Sequence, residues 1–169
     1  MTPPNGISIR PARASDVRVI QALRQPNEGK VLLHHELVGL FEKVSEFLVA
    51  TDASGEVVGA GALHVMWEDL GEVRSIVVSQ NHRDQGIGHA IVEALLEHAR
   101  GMGLKRVFCL TFEVEFFAKH GFNEISDVPV DEATYNELIR STDEGTAEFL
   151  DLARVKENTL GNTRMLRLL

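Results

Sequence analysis

Residues 71–89 read GEVRSIVVSQNHRDQGIGH, and this stretch decides the fold. The apolar run at 73–78 predicts a short strand, and the polar residues after it predict a loop that closes on two glycines. A helical pattern of apolar residues follows over 90–99. A strand, a glycine turn and a helix start in this order form an anion site, because the first N–H groups of a helix have no partner within it. Since Glu72 begins the same strand, the stretch indicates an enzyme with a pyrophosphate-bearing cofactor.

Two common phosphate-binding motifs do not fit this loop. A P-loop needs Gly-Lys-Ser or Gly-Lys-Thr, and neither occurs in the chain. A Rossmann fingerprint needs a small residue three positions after its second glycine, where Ile91 stands. The pattern [Q/R]-x-x-G-x-G does fit, with Arg83, Gly86 and Gly88. Such a pattern also occurs in plain strand-to-helix turns, but the flanking strand and helix favour the phosphate interpretation.

The composition is that of an ordinary globular protein. The chain has 169 residues, of which 44% are hydrophobic and 25% are charged, and this length predicts one domain over 1–169. The formal net charge is -8 and the isoelectric point is about 5.3. General binding to nucleic acid or to anionic membranes is therefore not expected, because both need a basic face.

Cys109 is the only cysteine, so neither an intrachain disulfide nor a multi-cysteine zinc site can form. The seven histidines form no H-E-x-x-H or comparable ligand set, and no metal is expected. The N-terminal residues lack the apolar core of a signal peptide, and no apolar run reaches the roughly 20 residues of a membrane span. A cytoplasmic protein without membrane contact is therefore expected.

The rest of the chain predicts an α+β fold. Antiparallel strands come first and an α/β crossover stands in the middle, which indicates a mixed, mostly antiparallel sheet flanked by helices. Strands are predicted at 7–11, 47–50, 57–66, 73–78, 106–111, 122–125 and 165–169. Helices are predicted between a cap at 15–16 and Pro26, and at 29–47, 86–100, 113–120 and 131–140.

This order of elements, together with the glycine loop, resembles the GCN5-related N-acetyltransferase family. Glu72 stands eleven residues before Arg83, the interval at which many members of that family place a carboxylate used as a base. Residues 116–122, FFAKHGF, resemble the family's second motif, and residues 7–20, ISIRPARASDVRVI, resemble its usual opening. The resemblance implies the GCN5-related N-acetyltransferase fold and acetyl-CoA as the co-substrate.

Within that family the chain is most similar to amino-acid N-acetyltransferases of the N-acetylglutamate synthase type. Their GE-x-x-x-x-x-V strand matches 71–78, their [LF]-F-x-L-T strand matches 107–111, and their C-terminal strand matches Asn158 with 163–166. The likeness covers nearly the whole chain and is to the short form without a kinase domain. It implies acetyl transfer to the α-amine of L-glutamate or L-glutamine, the first step of arginine biosynthesis. Because dimers are frequent in this family, it also suggests a homodimer.

The resemblance assigns roles to the residues of the opening stretch. Glu72 is the predicted general base, acting directly or through water, although a lone strand glutamate can also be a plain surface charge. The strand backbone after it is predicted to hold the pantetheine arm, and Arg83 with nearby N–H groups is predicted to meet the pyrophosphate. The predicted cofactor-binding residues are Ile76, Val77, Val78, Arg83, Asp84, Gln85, Gly86, Ile87, Gly88 and His89.

Three cations are candidates for binding the carboxylate of a small amino-acid substrate. Arg74 shares a sheet face with Glu72, so it can clamp that carboxylate or form a cross-strand ion pair, and both interpretations stay open. Lys30 and Arg164 are the other two candidates, although a surface charge is the more usual role for each of them.

The chain departs from the family pattern at two places. Phe117 stands where many members have a tyrosine that protonates the departing thiolate, and His34-His35 stand where the synthases often have substrate-binding arginines. Loss of the tyrosine leaves a non-catalytic acetyl-CoA-binding module as an alternative, although retention of Glu72 counts against it. Acetylation of another small amine or of a protein N-terminus is a further alternative, but residues 113–117 lack the N-x-x-A of ribosomal-protein acetyltransferases.

Overall fold

The computed structural model of the chain describes residues 3–28, 30–32, 35–150 and 161–169. The strands are β1 (Ser8–Pro11), β2 (Phe47–Thr51), β3 (Val57–Val65), β4 (Leu70–Val78), β5 (Arg106–Thr111), β6 (Asn123–Glu124) and β7 (Thr163–Leu168). They form one sheet in the order β1-β2-β3-β4-β5-β7-β6. β4 and β5 run parallel and the other neighbouring pairs run antiparallel, which confirms the predicted fold class.

Helices cover both faces of the sheet. They are α1 (Val17–Arg24), α2 (Leu37–Glu42), α3 (Ile87–Gly101), α4 (Val114–Ala118), α5 (Glu132–Leu138) and α6 (Glu144–Phe149). α3 and α4 pack on one face, where they enclose the largest apolar core. α1 and α2 cover the opposite face against β2 and β3, and α5 and α6 cover its neighbouring part beside Leu70 and Phe108. Within the described ranges, no helix is long and apolar enough to cross a membrane.

A bulge in β4 changes the face to which its side chains point. Two residues of β4, Ser75 and Ile76, oppose the single residue Gly61 of β3. Ser75 has a φ of 59°, and the extra residue reverses the alternation of side chains along the strand. The face toward α3 receives Val73, Ile76 and Val78, and the opposite face receives Leu70, Glu72, Arg74 and Val77.

β4 and β5 diverge after a short parallel contact. Leu70 pairs with Arg106, and the contact extends as far as Glu72 opposite Phe108. Beyond this point β4 continues along β3, whereas β5 continues along β7. The two strands therefore form a fork, with Glu72 at its vertex.

The predicted helix over 29–47 is wrong for most of its length. The structure has α2 and a 3-10 turn at Val44–Glu46, while residues 29, 33 and 34 lie outside the described ranges. The apolar residues that suggested one long helix, among them Leu37 and Leu40, do share a core with α1. The helix ends because Lys43, with φ -102° and ψ 10°, has left the helical region.

α6 has no counterpart among the predicted helices. Its six residues, EGTAEF, show little apolar periodicity, and Gly145 is a weak helix former. The sequence does carry a cap signal, because the side chain of Asp143 accepts a hydrogen bond from the Thr146 N–H at 2.9 Å. The cap predicted for α1 is wrong in detail, since Asp16 makes no cap bond to α1 and its carboxylate accepts instead from the Arg10 guanidinium and from the Arg13 N–H, each at 2.7 Å.

Gly61 is predicted to be essential for the packing opposite the bulge. An added Cβ would lie 2.5 Å from Ile76 Cδ1 and 2.7 Å from Ile91 Cγ2, closer than these atoms can stand. We expect Gly61→Ala to lower the free energy of unfolding by about 1–3 kcal/mol, the usual cost of overpacking. Denaturant unfolding followed by circular dichroism measures the change.

Gly39→Ala is the matched control for this substitution. Nothing lies within 4 Å of a Cβ at Gly39, which is inside α2 and has an ordinary helical conformation. Alanine favours a helix over glycine by up to about 1 kcal/mol, so the control should be neutral or stabilising. Equal stability of the two variants would show that the bulge tolerates a side chain at Gly61.

Candidate active site

Glu72 lies at the vertex of the fork and is only 4% exposed. Its backbone pairs with His64 on β3 and with Phe108 on β5, so the backbone that carries the carboxylate is fixed from both sides. The side chain lines a small cavity of about 80 Å³ together with Arg24 and Arg74. Polar groups of His35, Ser75, Glu148 and Asn162 also line this cavity.

Arg74 joins Glu72 to two further carboxylates. Its Nη1 donates to Asp143 Oδ1 at 2.9 Å and to Glu72 Oε2 at 3.3 Å, and its Nη2 donates to Glu46 Oε2 at 3.0 Å. Lys43 Nζ donates to the other oxygen of Asp143 at 2.7 Å. Arg74 therefore forms ion pairs, but not the cross-strand pair of the sequence prediction, because Glu72 lies on the same strand and Glu46 and Asp143 lie outside the strands. Its role as a substrate clamp stays a prediction.

The network sets the charge of each of its members. Burial, the largest influence, raises the pKa of Glu72 to about 7, while the charge of Arg74 opposes this rise and that of Asp143 adds to it. Burial also disfavours the charged forms of Arg74 and Asp143, but opposite charges outweigh it, so the pKa of Arg74 is raised and that of Asp143 is lowered. Of the three carboxylates that Arg74 contacts, Glu72 is thus the one that exchanges a proton near neutral pH.

α6 packs directly over Glu72. A Cβ added to Gly145 would lie 2.9 Å from Glu72 Oε2, so the glycine lets the helix backbone approach the carboxylate. At its start α6 is held by Asp143, and at its end the ring of Phe149 stacks on Phe108 of β5 with centroids 4.0 Å apart. The helix that the sequence did not reveal therefore forms one wall of the small cavity.

A larger cleft of about 480 Å³ lies between the two arms of the fork. It shares Arg74, Ser75 and Leu110 with the small cavity, so the two spaces adjoin. It reaches Arg83 and Gly88 as well. An elongated ligand can therefore extend from the neighbourhood of Glu72 to the start of α3.

The loop before α3 has the features of an anion site. Asp84 and Gly86 have positive φ values of 60° and 79°, and the first bond within the helix runs from the Ala90 N–H to the Gly86 carbonyl. The N–H groups of 87–89 precede that bond, and the helix dipole adds partial positive charge at the same place. The exposed guanidinium of Arg83 adds a full charge. These donors fit the pyrophosphate of a nucleotide-like cofactor.

The predicted cofactor-binding residues fall into two groups. Those that line the cleft are Ile76, Val77, Val78, Arg83 and Gly88. Those that belong to the loop and the first turn of α3, outside the cleft lining, are Asp84, Gln85, Gly86, Ile87 and His89. The side chain of Ile87 is buried in the core, and the ring of His89 stacks on Phe116, so the predicted roles of these two residues concern their backbone N–H groups.

Two of the three predicted substrate cations lie away from the small cavity. Lys30 and Arg164 are not among the described residues that line either space. Lys30 is exposed, and Arg164 is half-buried on β7 opposite Leu110. Their roles in substrate binding stay predictions. Of the two histidines noted at the start of the predicted second helix, His35 lines the small cavity and His34 lies outside the described residues, as does Asn158.

Arg24 is one of the cavity residues that sequence reasoning missed, together with Ser75, Glu148 and Asn162. It ends α1 on the buried face that also carries Val17 and Ile20, and it is 1% exposed. The helical spacing of Arg24 from these two apolar residues was a readable signal of a buried cation. Asp143 was missed for a different reason, because it lies on α6, whose sequence pattern is weak.

Among the described residues, few other chemically reactive side chains lie in or near the cleft. Phe117 lines it where the family pattern has tyrosine, and the hydroxyl of Thr111 accepts a hydrogen bond from the Glu113 N–H at 2.8 Å. Burial raises the pKa of the Cys109 thiol far above its ordinary range, so it is a poor nucleophile. Among the described residues, no group of three or more His, Cys, Asp or Glu side chains could hold a metal ion.

Comparison with known proteins finds relatives along nearly the whole chain. The Acetyltransferase (GNAT) family matches residues 17–122. The amino-acid acetyltransferase of Mycobacterium tuberculosis is 55% identical over 163 residues, which are 95% of this chain and 94% of that protein. The amino-acid acetyltransferase of Neisseria meningitidis serogroup A is 35% identical over 124 residues, which are 72% of this chain and 28% of that longer protein.

Two solved structures have the same fold. Rv2747 from Mycobacterium tuberculosis, in complex with CoA and NLQ, has a TM-score of 0.93 and 54% identity over 96% of this chain and 99% of that one. N-acetylglutamate synthase from Neisseria gonorrhoeae, with coenzyme A and N-acetyl-glutamate, has a TM-score of 0.77 and 28% identity, covering 96% of this chain and 35% of that one.

The titration of Glu72 is predicted to depend on Asp143. The Asp143 charge raises the pKa of Glu72 directly. Asp143 also accepts a hydrogen bond from Arg74, whose positive charge lowers the pKa of Glu72. In Asp143→Asn the midpoint should therefore move below the value of about 7 expected for the unaltered protein. The carboxyl carbon shift of Glu72, assigned by its absence in Glu72→Gln, reports the midpoint by NMR.

Asparagine caps helices as well as aspartate does, so α6 should remain in place in this variant. Asp127→Asn, which alters an exposed aspartate after β6, is the control and should leave the titration of Glu72 unchanged. An Asp143→Asn midpoint equal to that of the control would show that Asp143 does not influence Glu72.

Proposed function

Because the chain belongs to the acetyltransferase (GNAT) family and is an acetyl-CoA-dependent N-acetyltransferase, we propose that it acetylates the α-amine of L-glutamate or L-glutamine. The observation that carries this proposal is the buried Glu72, which has a pKa of about 7 and lines a small cavity beside the cofactor cleft. Such a reaction would be the first step of arginine biosynthesis. The cytoplasmic setting and the homodimer expected from the sequence stay predictions.

Glu72 is the proposed general base. An amine attacks a thioester only in its neutral form, so a proton must leave the ammonium group of the amino acid. A carboxylate with a pKa near neutrality can accept this proton, directly or through water, and return it to solvent. When bound, acetyl-CoA supplies the acetyl thioester. Arg74, charged and bonded to Glu72, holds the carboxylate in place during this exchange.

The second half of β4 and the loop that follows it have complementary roles in the proposal. Residues 76–78 of β4 would hold the pantetheine arm through their backbone and present N–H groups to the developing oxyanion. Arg83 and the N–H groups of the following loop would bind the pyrophosphate. A thiol titrates near a pKa of about 8.5, so coenzyme A can leave without a dedicated acid, which suits the presence of Phe117.

Glutamine is the second candidate substrate, and the lining of the small cavity favours it. The carboxylates of Glu72 and Glu148 both face this space, and Glu148 accepts a hydrogen bond from Asn162 Nδ2 at 2.7 Å. A side-chain amide can donate to these carboxylates, whereas a second carboxylate on the substrate would have to approach them and pair with Arg24 or Arg74, which line the same space.

Thiol release from acetyl-CoA in the presence of amino acids tests the proposal. The panel contains glutamate, glutamine, aspartate, ornithine and a short peptide with a free N-terminus, each at several concentrations. Turnover with glutamate or glutamine supports the proposed function, and their kcat/KM ratio decides between the two. Turnover with the peptide alone, or cofactor binding without turnover on any amine, would contradict it.

Glu72→Gln is predicted to lower kcat at neutral pH by about 100-fold or more, the lower range for loss of a general base. The carboxylate must be ionised to accept a proton, so the activity of the unaltered enzyme should fall as pH drops through about 7. That limb should be absent from the residual activity of the variant. Steady-state kinetics from about pH 5.5 to about pH 9 cover the range in which the Glu72 carboxylate titrates.

Glu97→Gln, which changes an exposed glutamate on α3, is the matched control and should keep the full rate and the same pH limb. Acetyl-CoA affinity, measured by calorimetry, should be nearly equal in both variants because Glu72 is not among the residues that line the cleft. Unchanged turnover in Glu72→Gln would remove this residue from the mechanism.

A further inference from the structure

Arg24 occupies a buried position that needs a chemical reason. Its side chain is 1% exposed at the end of α1, and burial lowers the pKa of the guanidinium, with Glu28 opposing this effect. Placing a cation out of water is costly unless specific partners compensate it. The side chain nevertheless lines the small cavity that contains Glu72.

The guanidinium of Arg24 is held in one orientation. Its Nη1 donates to the hydroxyl of Ser75, the bulge residue of β4, and its Nη2 lies 2.8 Å from Nδ1 of His35. An arginine can only donate, so Nδ1 of His35 accepts and the remaining ring proton is on Nε2. Glu28 lies 3.6 Å from the Nε of Arg24. These contacts tie the end of α1 to the strand that carries Glu72.

The two arginines of the cavity differ in their surroundings. The guanidinium of Arg74 donates to three carboxylates, those of Glu46, Glu72 and Asp143. The guanidinium of Arg24 donates to the uncharged groups of Ser75 and His35 in addition to its contact with Glu28. An incoming carboxylate would be repelled by the three anions around Arg74, whereas beside Arg24 the contacts given above include one carboxylate, that of Glu28, and two uncharged groups.

The chemistry of an α-amino acid restricts the place of its carboxylate. The α-amine and the α-carboxylate are attached to the same carbon, so the residue that binds the carboxylate must line the same small space as the base. Arg24 satisfies this condition with Glu72, whereas Lys30 and Arg164 are not among the described residues that line it. A guanidinium has five N–H donors, so protein partners can hold it while it binds a carboxylate.

We propose that Arg24, oriented by Ser75 and His35, binds the α-carboxylate of the amino-acid substrate and thereby selects free amino acids over other amines. This inference rests on the proposed function. It assigns Arg74 to holding Glu72 and Arg24 to recognising the substrate, so the two cavity arginines have separate tasks.

The test compares an accepted amino acid with its α-carboxamide, which keeps the amine and the side chain but has no α-carboxylate. The unaltered enzyme should favour the free acid in kcat/KM. In Arg24→Gln the kcat/KM for the free acid should fall by about 10- to 100-fold, the range for a lost charged hydrogen bond, mainly through KM. The kcat/KM for the carboxamide should stay within about twofold, because it makes no such bond.

Binding provides a readout besides activity. Calorimetric titration of the amino acid into the protein with coenzyme A present should give a Kd raised by the same factor in Arg24→Gln. Arg18→Gln is the matched control, since it removes an exposed arginine from the same helix, and it should leave both substrates unaffected. Equal losses on the acid and the carboxamide, or an unchanged preference for the acid, would overturn the inference.

If Arg24→Gln does not fold, Ser75→Ala tests whether Arg24 binds the α-carboxylate. It removes the hydroxyl that receives Nη1 but keeps every charge. The KM for the free acid should rise by about threefold, the lower range for one lost hydrogen bond, with no change for the carboxamide. Equal KM values for the acid in Ser75→Ala and the unaltered enzyme would reject the role of Arg24. Absence of turnover by the unaltered enzyme on every amino acid would instead reject the proposed function itself.

Discussion

The short parallel contact between β4 and β5, which extends as far as Glu72 and Phe108, is the constraint on which the site depends. Had the strands stayed paired, the second half of β4 would be sealed by backbone hydrogen bonds and no cleft would exist. The bulge at Ser75 and Ile76 adds twist and reverses the side-chain alternation at the same point. Glu72 and Arg74 therefore stay on one face of the sheet, while Ile76 and Val78 turn their side chains toward α3.

The face that carries Glu72 and Arg74 contains two separate apolar cores, one beneath α1 and α2 and one beneath α5 and α6. The charged residues lie between these cores, where burial penalises each charge on its own. Ion pairing offsets this cost of burial, since Arg74 contacts the carboxylates of Glu46 before β2, of Glu72 on β4 and of Asp143 at the start of α6. The network thus fixes three distant segments around a carboxylate that titrates near neutral pH.

The fold and the strand, loop and helix start before α3 were predictable from the sequence because their determinants are local, and the cofactor-binding roles of these residues stay predictions. The strand, loop and helix start occupy 71–89 without interruption, and a helix N-terminus creates an anion site through its own backbone. The substrate side was not predictable, because Arg24, Asp143 and Glu148 meet Glu72 only after the chain has folded. Spacing along a sequence reveals contacts within one helix or strand, but not contacts between an arginine on α1 and a bulge on β4.

The separate surroundings of the two arginines follow from this arrangement. Arg74 comes from the strand that carries the base, and it also contacts the carboxylates of Glu46 and Asp143. Burial, the largest influence, keeps the pKa of Glu72 high, and the charge of Asp143 adds to this effect against the attraction of Arg74. A residue that served both as partner of the base and as anchor of the substrate would change the pKa of the base whenever substrate bound. Recognition by Arg24, across the cavity and tied to Ser75, would leave the bond between Arg74 and Glu72 intact when substrate binds.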